Sequence, residues 1–183
     1  MVTTALLTID DYEQLPQAIA ETHELIDGVL VEVAGNVPEH NFLKDLLVAL
    51  LLPLAEKQKL GIIVSEQEFD FNGRTHAPDV SFVNARKAPL FERRKRVQRF
   101  VPDLAIEIAS QANSFDELVE KVIRYRDCGT AEAWIFSIAP RRVFVFSEGR
   151  NVILGSSDTL TTELLPGLSL PIDDVFEGII RRF

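Results

Sequence analysis

Cysteine is almost missing from this 183-residue chain, which contains Cys128 and no other. A single thiol excludes an internal disulfide and also excludes a zinc site built from several cysteines. Because disulfides accumulate in oxidising compartments and are rare in reducing ones, this composition favours a reducing environment. We therefore expect a cytoplasmic protein.

Long apolar runs are also missing. The longest extends from Leu46 to Leu52 and is broken by Pro53, whereas a membrane-spanning helix needs about 20 apolar residues. The first residues lack a basic segment followed by an apolar core, which argues against a signal peptide. We expect no membrane association and a single domain over residues 1–183, because this length suits one sizeable hydrophobic core.

Positive charge is in short supply, since 19 Lys and Arg face 28 Asp and Glu and the net charge is −9. This balance argues against strong nonspecific binding to nucleic acid, which depends on clustered cations. Part of the negative charge could instead lie in a metal site. Seven cations do cluster in one stretch, which indicates either a solvated surface or a patch that contacts phosphates: Arg86, Lys87, Arg93, Arg94, Lys95, Arg96 and Arg99.

The apolar pattern predicts an α/β fold with β-hairpins. Asp-Gly and Asn-Gly pairs between strand-like runs are typical of hairpin turns. They occur here as Asp27-Gly28 and Asn72-Gly73. Helices are predicted for residues 9–20, with Thr8 as N-cap and an irregularity at Pro16, and from Pro38 to about Lys59. Strands are predicted at residues 62–64, 66–71, 80–83, 103–109, 133–136 and 143–146, with short ones near 152 and 160.

A third helix is predicted between two of these strands. Ser114 and Glu117 have the spacing of a capping box, and Gly129 follows the predicted end of the helix at Asp127. A short helix is also predicted from Asp173. A strand–helix–strand core between hairpins favours an α/β architecture.

Two carboxylates interrupt runs that otherwise have the composition of buried strands. Asp79 precedes the run from Val80 to Val83, and Glu107 lies within the run from Leu104 to Ala109. A buried carboxylate is costly unless a cation or hydrogen bonds compensate it. Together with Lys121 on the following helix, the pair suggests a divalent metal and a hydrolytic water.

Phosphodiester hydrolysis with a metal needs hard oxygen ligands and positive charge near the reacting phosphorus. Asp79 and Glu107 could supply the ligands, and the main-chain carbonyl of Ile108 could add a third oxygen. Lys121 could hold the attacking water or offset charge in the transition state. The sequence therefore suggests a metal-dependent hydrolase.

Each of these residues also has a structural interpretation. Glu107 could pair with Arg124, Asp79 could cap a turn, and Lys121 could form a helical ion pair with Glu117. For His40, one turn into the long helix, we expect a surface or helix-start role rather than a place in the site. We expect Tyr125 and Trp134 to be core residues rather than platforms for bases.

In their order and spacing, these residues resemble the Uma-type family of restriction-endonuclease-like proteins, within the PD-(D/E)XK nuclease superfamily. The resemblance extends over most of the chain and rests on an ordered set of short segments: Glu24-Leu25-Ile26-Asp27-Gly28, Pro38-Glu39-His40, Ala77-Pro78-Asp79-Val80, Glu107-Ile108-Ala109-Ser110, Glu120-Lys121, Tyr125, Gly129 and Trp134-Ile135.

The resemblance implies a restriction-endonuclease-like core, in which a central mixed sheet is flanked by helices. It also implies a magnesium-dependent endonuclease acting on DNA, with manganese as a possible substitute. The usual lysine of the superfamily would lie at Ala109, and the family resembled places it on the next helix, where Lys121 stands. Glu24 matches a further acidic residue that could bind a second metal or a metal-bound water.

Two expectations follow for assembly and activity. Cutting both strands of a duplex needs two active sites, so we expect a homodimer, with Phe91, Phe100 and Phe183 as candidate interface residues. The alternative to an enzyme is a nuclease fold that retains the acidic site but serves as a binding or assembly module. The low basicity of the chain motivates this alternative.

Overall fold

A computed structural model describes residues 6–33, 35–109 and 114–180 of the chain. Ser110 and Phe183, named above, lie outside the described residues. The helices are α1 (Ile9–Glu13), α2 (Gln17–Ala20), α3 (Pro38–Lys57), α4 (Phe115–Asp127) and α5 (Ile172–Ile180). The strands are β1 (His23–Ile26), β2 (Val29–Glu32), β3 (Gly61–Ser65), β4 (Phe69–Asp70), β5 (Thr75–His76), β6 (Val80–Asn84), β7 (Leu104–Ala109), β8 (Glu132–Ser137), β9 (Arg142–Ser147), β10 (Arg150–Leu154), β11 (Thr159–Leu160) and β12 (Leu170–Pro171).

A six-stranded mixed sheet forms the centre, in the order β10-β9-β8-β7-β6-β3. Strands β7 and β8 run parallel and are connected through α4, whereas the other neighbours in this sheet are antiparallel. Two-stranded hairpins β1-β2 and β4-β5 accompany the sheet. This arrangement confirms the predicted α/β fold with a central mixed sheet flanked by helices and with β-hairpins.

The two faces of the sheet bury different helices because strand side chains alternate between faces. Trp134 and Phe136 of β8 pack in the cluster that contains the buried leucines of α3 and the apolar face of α5. Ala133 and Ile135, which alternate with them, pack in the cluster that contains α4. On β7 the same alternation sends Ile106 and Ile108 towards α3. Glu107 therefore points to the face covered by α4.

Local signals located several elements correctly. Thr8 caps α1 and forms a capping box with Asp11, and the helix is interrupted near Pro16 as predicted. Both predicted hairpin turns are present, and Asp27, Gly28, Asn72 and Gly73 all have positive φ, as the favoured two-residue turns require.

Three local predictions were wrong. Residues 66–71 form a strand only at Phe69–Asp70, and the predicted strand is interrupted at its start, where Glu66 adopts φ +52°. Ser114 is at the N-cap position of α4, but within the described residues its side chain makes no capping hydrogen bond.

The third concerns the exposure of two phenylalanines that are candidates for a dimer interface. Phe91 and Phe100 are half-buried rather than exposed, and their rings lie 6.3 and 5.7 Å from that of Phe69. They pack against the cluster that contains α4, and the dimer interface itself stays a prediction.

In the described part of the chain, no helix is both long and apolar enough to cross a membrane. This finding agrees with the short apolar runs of the sequence.

The packing of α3 provides a test of this architecture. Leu47 is fully buried against the sheet, whereas Leu50 on the same helix is 39% exposed. We expect Leu47→Ala to lower the free energy of unfolding by about 2–5 kcal/mol, because it leaves a cavity in the core. The matched Leu50→Ala should change it by only about 0.5 kcal/mol. Urea denaturation measures both, and equal losses would contradict this packing.

Candidate functional site

One cleft of about 1320 Å³ brings together four of the residues singled out in the sequence. Glu24, Asp79, Glu107 and Lys121 all line it, although they come from β1, the start of β6, β7 and α4. The register of β6 and β7 pairs Val80 with Ile106, so its continuation places Asp79 opposite Glu107. The tertiary structure thus collects side chains that are up to 97 positions apart.

Glu107 lies on the floor of the cleft and is 4% exposed. The Tyr125 hydroxyl donates a hydrogen bond of 2.6 Å to its Oε1, and Lys121 Nζ lies 3.3 Å from the same oxygen. Burial raises the pKa of Glu107 to about 7, and the charge of Asp79 adds to this shift, although Lys121 opposes it. This carboxyl can therefore gain or lose a proton near neutral pH.

Lys121 lies on the buried side of α4, in the apolar stripe formed by Leu118, Val122 and Tyr125. Its amine contacts Glu107 and also lies 3.1 Å from Glu24 Oε1. Burial alone would lower the pKa of Lys121, but the charges of Glu107 and Glu24 outweigh burial and raise it. The predicted alternative, a solvated ion pair with Glu117, is wrong, because the amine points into the cleft.

Glu24 connects the hairpin β1-β2 to the site through both of its oxygens. Oε1 faces Lys121, and Oε2 lies 2.8 Å from His76 Nδ1. Burial would raise the pKa of Glu24, but the charge of Lys121 and the hydrogen bond from His76 lower it to about 2. Glu24 is therefore an anion at neutral pH and keeps Lys121 charged. Burial lowers the pKa of His76, and its Nδ1 must carry the proton that Glu24 accepts.

Asp79 is 8% exposed and accepts hydrogen bonds from two other elements. The backbone N–H of Ile108 donates to Oδ2 over 2.7 Å. His40 Nε2 lies 3.1 Å from both carboxylate oxygens. The expected surface role of His40 is therefore wrong: this residue, in the first turn of α3, is buried and faces the site.

Two further residues were not predicted to contact the site. Tyr125 is a core residue as expected, but its hydroxyl also reaches Glu107; its position four residues after Lys121 places both on one helix face, which is a signal the sequence contains. His76 contacts Glu24 across 52 residues. No local sequence pattern predicts that contact, since it depends on how the two hairpins pack.

The basic stretch between β6 and β7 is largely ion-paired. Lys95 Nζ lies 2.8 Å from Glu13, Arg96 Nε lies 2.8 Å from Glu68, and Arg99 contacts Asp10. Lys95 and Arg96 also line the cleft, where carboxylates are the more numerous charged groups. The acids are Glu21, Glu24, Glu32, Glu66, Glu68, Asp79, Glu107 and Glu117, and the Lys and Arg residues are Lys95, Arg96 and Lys121.

The donor atoms of the cleft can be compared with the needs of a divalent cation. Within the described residues, no three His, Cys, Asp or Glu side chains are grouped closely enough to form a complete metal site by themselves. Magnesium, however, is usually held by one or two carboxylates and keeps several waters. Asp79 and Glu107 provide two carboxylates. The N–H of Ile108 donates to Asp79, and the N–H and C=O of one strand residue point to the same side. The carbonyl of Ile108 therefore also points from β7 towards Asp79. These oxygens fit magnesium or manganese.

The raised pKa of Glu107 has a measurable consequence for stability. The folded protein retains this proton up to about pH 7, whereas the ordinary pKa of the group is 4.5. Between these values the folded state retains the Glu107 proton and the unfolded state does not, so the contribution of Glu107 to the free energy of unfolding should fall as pH rises, by about 3 kcal/mol. The lowered pKa of His76 contributes in the opposite direction.

Urea denaturation with a chelator present, at pH 5 and pH 8, measures this difference. Glu107→Gln should remove most of it, and Glu148→Gln, at an exposed glutamate, should leave it unchanged. The same pH dependence in Glu107→Gln and the unmodified protein would contradict the assignment.

Comparison with known proteins extends these observations. The sequence profile of the Uma2 family, described as "Putative restriction endonuclease", matches residues 9–173. A search of curated proteins gave no match. The fold is similar to the crystal structure of "a putative nuclease belonging to DUF820" from Anabaena variabilis. That similarity has a TM-score of 0.84 at 20% sequence identity and covers 94% of this chain and 99% of that one.

The structural similarity establishes the fold, and the profile match extends over almost the whole chain. It includes each of the cleft residues Glu24, Asp79, Glu107 and Lys121. The chain therefore belongs to the Uma2 family of restriction-endonuclease-like proteins.

Proposed function

We propose that this protein is a divalent-metal-dependent endonuclease that hydrolyses phosphodiester bonds in DNA. The supporting observation is the convergence of Asp79, Glu107 and a charged Lys121 in one cleft, with the amine 3.3 Å from Glu107. A half-buried amine held beside two carboxylates is an arrangement suited to phosphoryl chemistry, where negative charge develops at the reacting centre. The family description supports DNA as the substrate.

Asp79, Glu107 and the carbonyl of Ile108 would hold the cation, which is magnesium or manganese. When bound, such an ion lowers the pKa of a coordinated water and offsets charge on the phosphoryl oxygens. The contacts of Glu107 with Tyr125 and Lys121 both use Oε1. Oε2 is the oxygen that we assign to the cation.

Lys121 acts as a fixed positive charge. Because Glu24 and Glu107 raise its pKa, the amine remains protonated and cannot accept a proton from water. It can donate hydrogen bonds to the attacking water and to a phosphoryl oxygen, where it stabilises the negative charge of the transition state.

Glu24 positions Lys121 in this scheme. The sequence suggested that Glu24 binds a second metal or its water, but Oε1 and Oε2 are engaged by Lys121 and His76. We therefore assign Glu24 to holding the amine in the cleft rather than to a second ion. Lys121 Nζ lies 3.1 Å from Glu24 Oε1, and Glu24 belongs to the hairpin β1-β2. The orientation of Lys121 therefore depends on the position of this hairpin.

The cleft contains more carboxylates than Lys and Arg side chains. We therefore expect nucleic acid to bind there only when a divalent cation is present. A polyanion binds through released counterions and clustered Lys or Arg, and both Lys95 and Arg96 are already paired with glutamates. A divalent cation at Asp79 and Glu107 would reduce the negative potential before DNA enters. The same surplus favours the second candidate function, a binding or assembly module without catalysis.

The first test is cleavage of supercoiled plasmid by purified protein in magnesium, with a chelator control. Asp79→Asn and Lys121→Met should each lower the rate by about 100-fold or more, since each removes an essential charge. Lys57→Met, at an exposed lysine at the end of α3, should cut at the unmodified rate.

Cleavage that persists in both Asp79→Asn and Lys121→Met would overturn the endonuclease proposal. Binding of magnesium or manganese in calorimetry without cleavage of any DNA would favour the module instead. Parallel reactions with single-stranded DNA and RNA define the substrate.

Glu24→Gln separates the two roles considered for Glu24. If Glu24 only holds Lys121, the substitution should lower the cleavage rate by about 10-fold or more while the manganese affinity stays nearly unchanged. The affinity is measured by calorimetry, with Asp79→Asn as the variant that loses binding. A large loss of manganese affinity in Glu24→Gln would show that Glu24 belongs to the ion instead.

A further inference from the structure

We propose that His40 is a positioning residue whose Nε2–H holds the Asp79 carboxylate in place for the cation, and that its ring is not a metal ligand. This inference rests on the proposed function of the cleft. His40 is 1% exposed, and its Nε2 lies 3.1 Å from both Oδ1 and Oδ2 of Asp79. One N–H is thus shared between two oxygens.

The position of the proton on the imidazole follows from its surroundings. His40 Nδ1 is buried and has no hydrogen-bond partner among the described residues. A proton on Nδ1 would leave a buried N–H without an acceptor and would turn the lone pair of Nε2 towards two carboxylate oxygens. Both consequences are unfavourable, since a buried donor without a partner costs about 1–3 kcal/mol. A proton on Nε2 avoids both.

The same observation argues against His40 as a ligand. A metal binds the deprotonated nitrogen of imidazole, so ligation through Nε2 would move the proton to Nδ1. Ligating histidines nearly always donate that second N–H to a carboxylate, a carbonyl or water. His40 Nδ1 has no such partner among the described residues. Ligation through Nε2 is therefore disfavoured. Nδ1 points away from Nε2 across the ring, so its lone pair cannot reach an ion that is held by the Asp79 carboxylate on the Nε2 side.

Two donors from different elements fix the carboxylate of Asp79. The Ile108 N–H approaches Oδ2 from β7, and His40 approaches both oxygens from α3. Oδ2 receives both donors, which leaves Oδ1 as the oxygen better able to face the cleft. The buried residues Leu43 and Leu47 anchor the same end of α3 to the sheet, so the ring is held by packing and not only by its hydrogen bond.

Nitrogen-15 NMR of the metal-free protein tests this inference without any requirement for activity. At pH 8 the shifts of the His40 ring should show a protonated Nε2 and an unprotonated Nδ1. An unprotonated Nε2 would overturn the proposal. Because the measurement uses the unmodified protein, it is decisive even if substitutions at position 40 fail to fold.

Two variants then separate a donor from other roles, with manganese affinity as the readout. Glutamine places an amide N–H near the position of Nε2, whereas leucine fills similar space without a donor. His40→Leu should weaken manganese binding by about 10-fold or more, as loss of an outer-shell partner does, and His40→Gln should restore most of the affinity. Equal losses in the two variants would overturn the proposal.

Pulsed electron paramagnetic resonance of the manganese complex provides the last arm. No coupling to a histidine nitrogen is expected, and a coupling that disappears in His40→Gln would identify His40 as a ligand and overturn the proposal. If the unmodified protein binds no manganese, the metal-dependent endonuclease proposal fails. In that case the NMR result still decides whether His40 donates to Asp79.

Discussion

The ion pairs of the half-buried Lys121 amine with two glutamates are the interaction on which the rest of the cleft depends. Burial of any one of these groups alone would be unfavourable, because an isolated ion loses its hydration. Lys121 Nζ lies 3.1 Å from Glu24 and 3.3 Å from Glu107, so each charge compensates another. The contacts join β1, β7 and α4, and the site exists only when these three elements are assembled.

The parallel pairing of β7 and β8 explains why Lys121 reaches the cleft from a helix. A parallel connection needs a crossover, and here the crossover contains α4. Because α4 covers the face of the sheet to which Glu107 points, a lysine on its buried stripe can reach that carboxylate. Lys121 thus reaches Glu107 from the helix, whereas the superfamily resembled usually has its lysine on the strand, at the position of Ala109.

Two buried histidines support the acidic side of the cleft in a similar way. His76 donates to Glu24, and His40 contacts Asp79. Each leaves its other ring nitrogen buried and without a partner among the described residues. A buried polar atom without a hydrogen-bond partner is energetically unfavourable and is rare in ordinary cores. Such atoms are more typical of functional sites, where a side chain is held in place for its role.

The sequence by itself determined the architecture and pointed to four residues that line the cleft, whose roles are proposals. Hairpin turns at Asp27-Gly28 and Asn72-Gly73, together with apolar strands interrupted by Asp79 and Glu107, depend on local conformational preferences and on the cost of buried charge. Only the tertiary structure decided the partners of Lys121 and the roles of His40, His76 and Tyr125. Their contacts join residues up to 97 positions apart, and contacts of that kind depend on how helices and hairpins pack, which local sequence patterns do not specify.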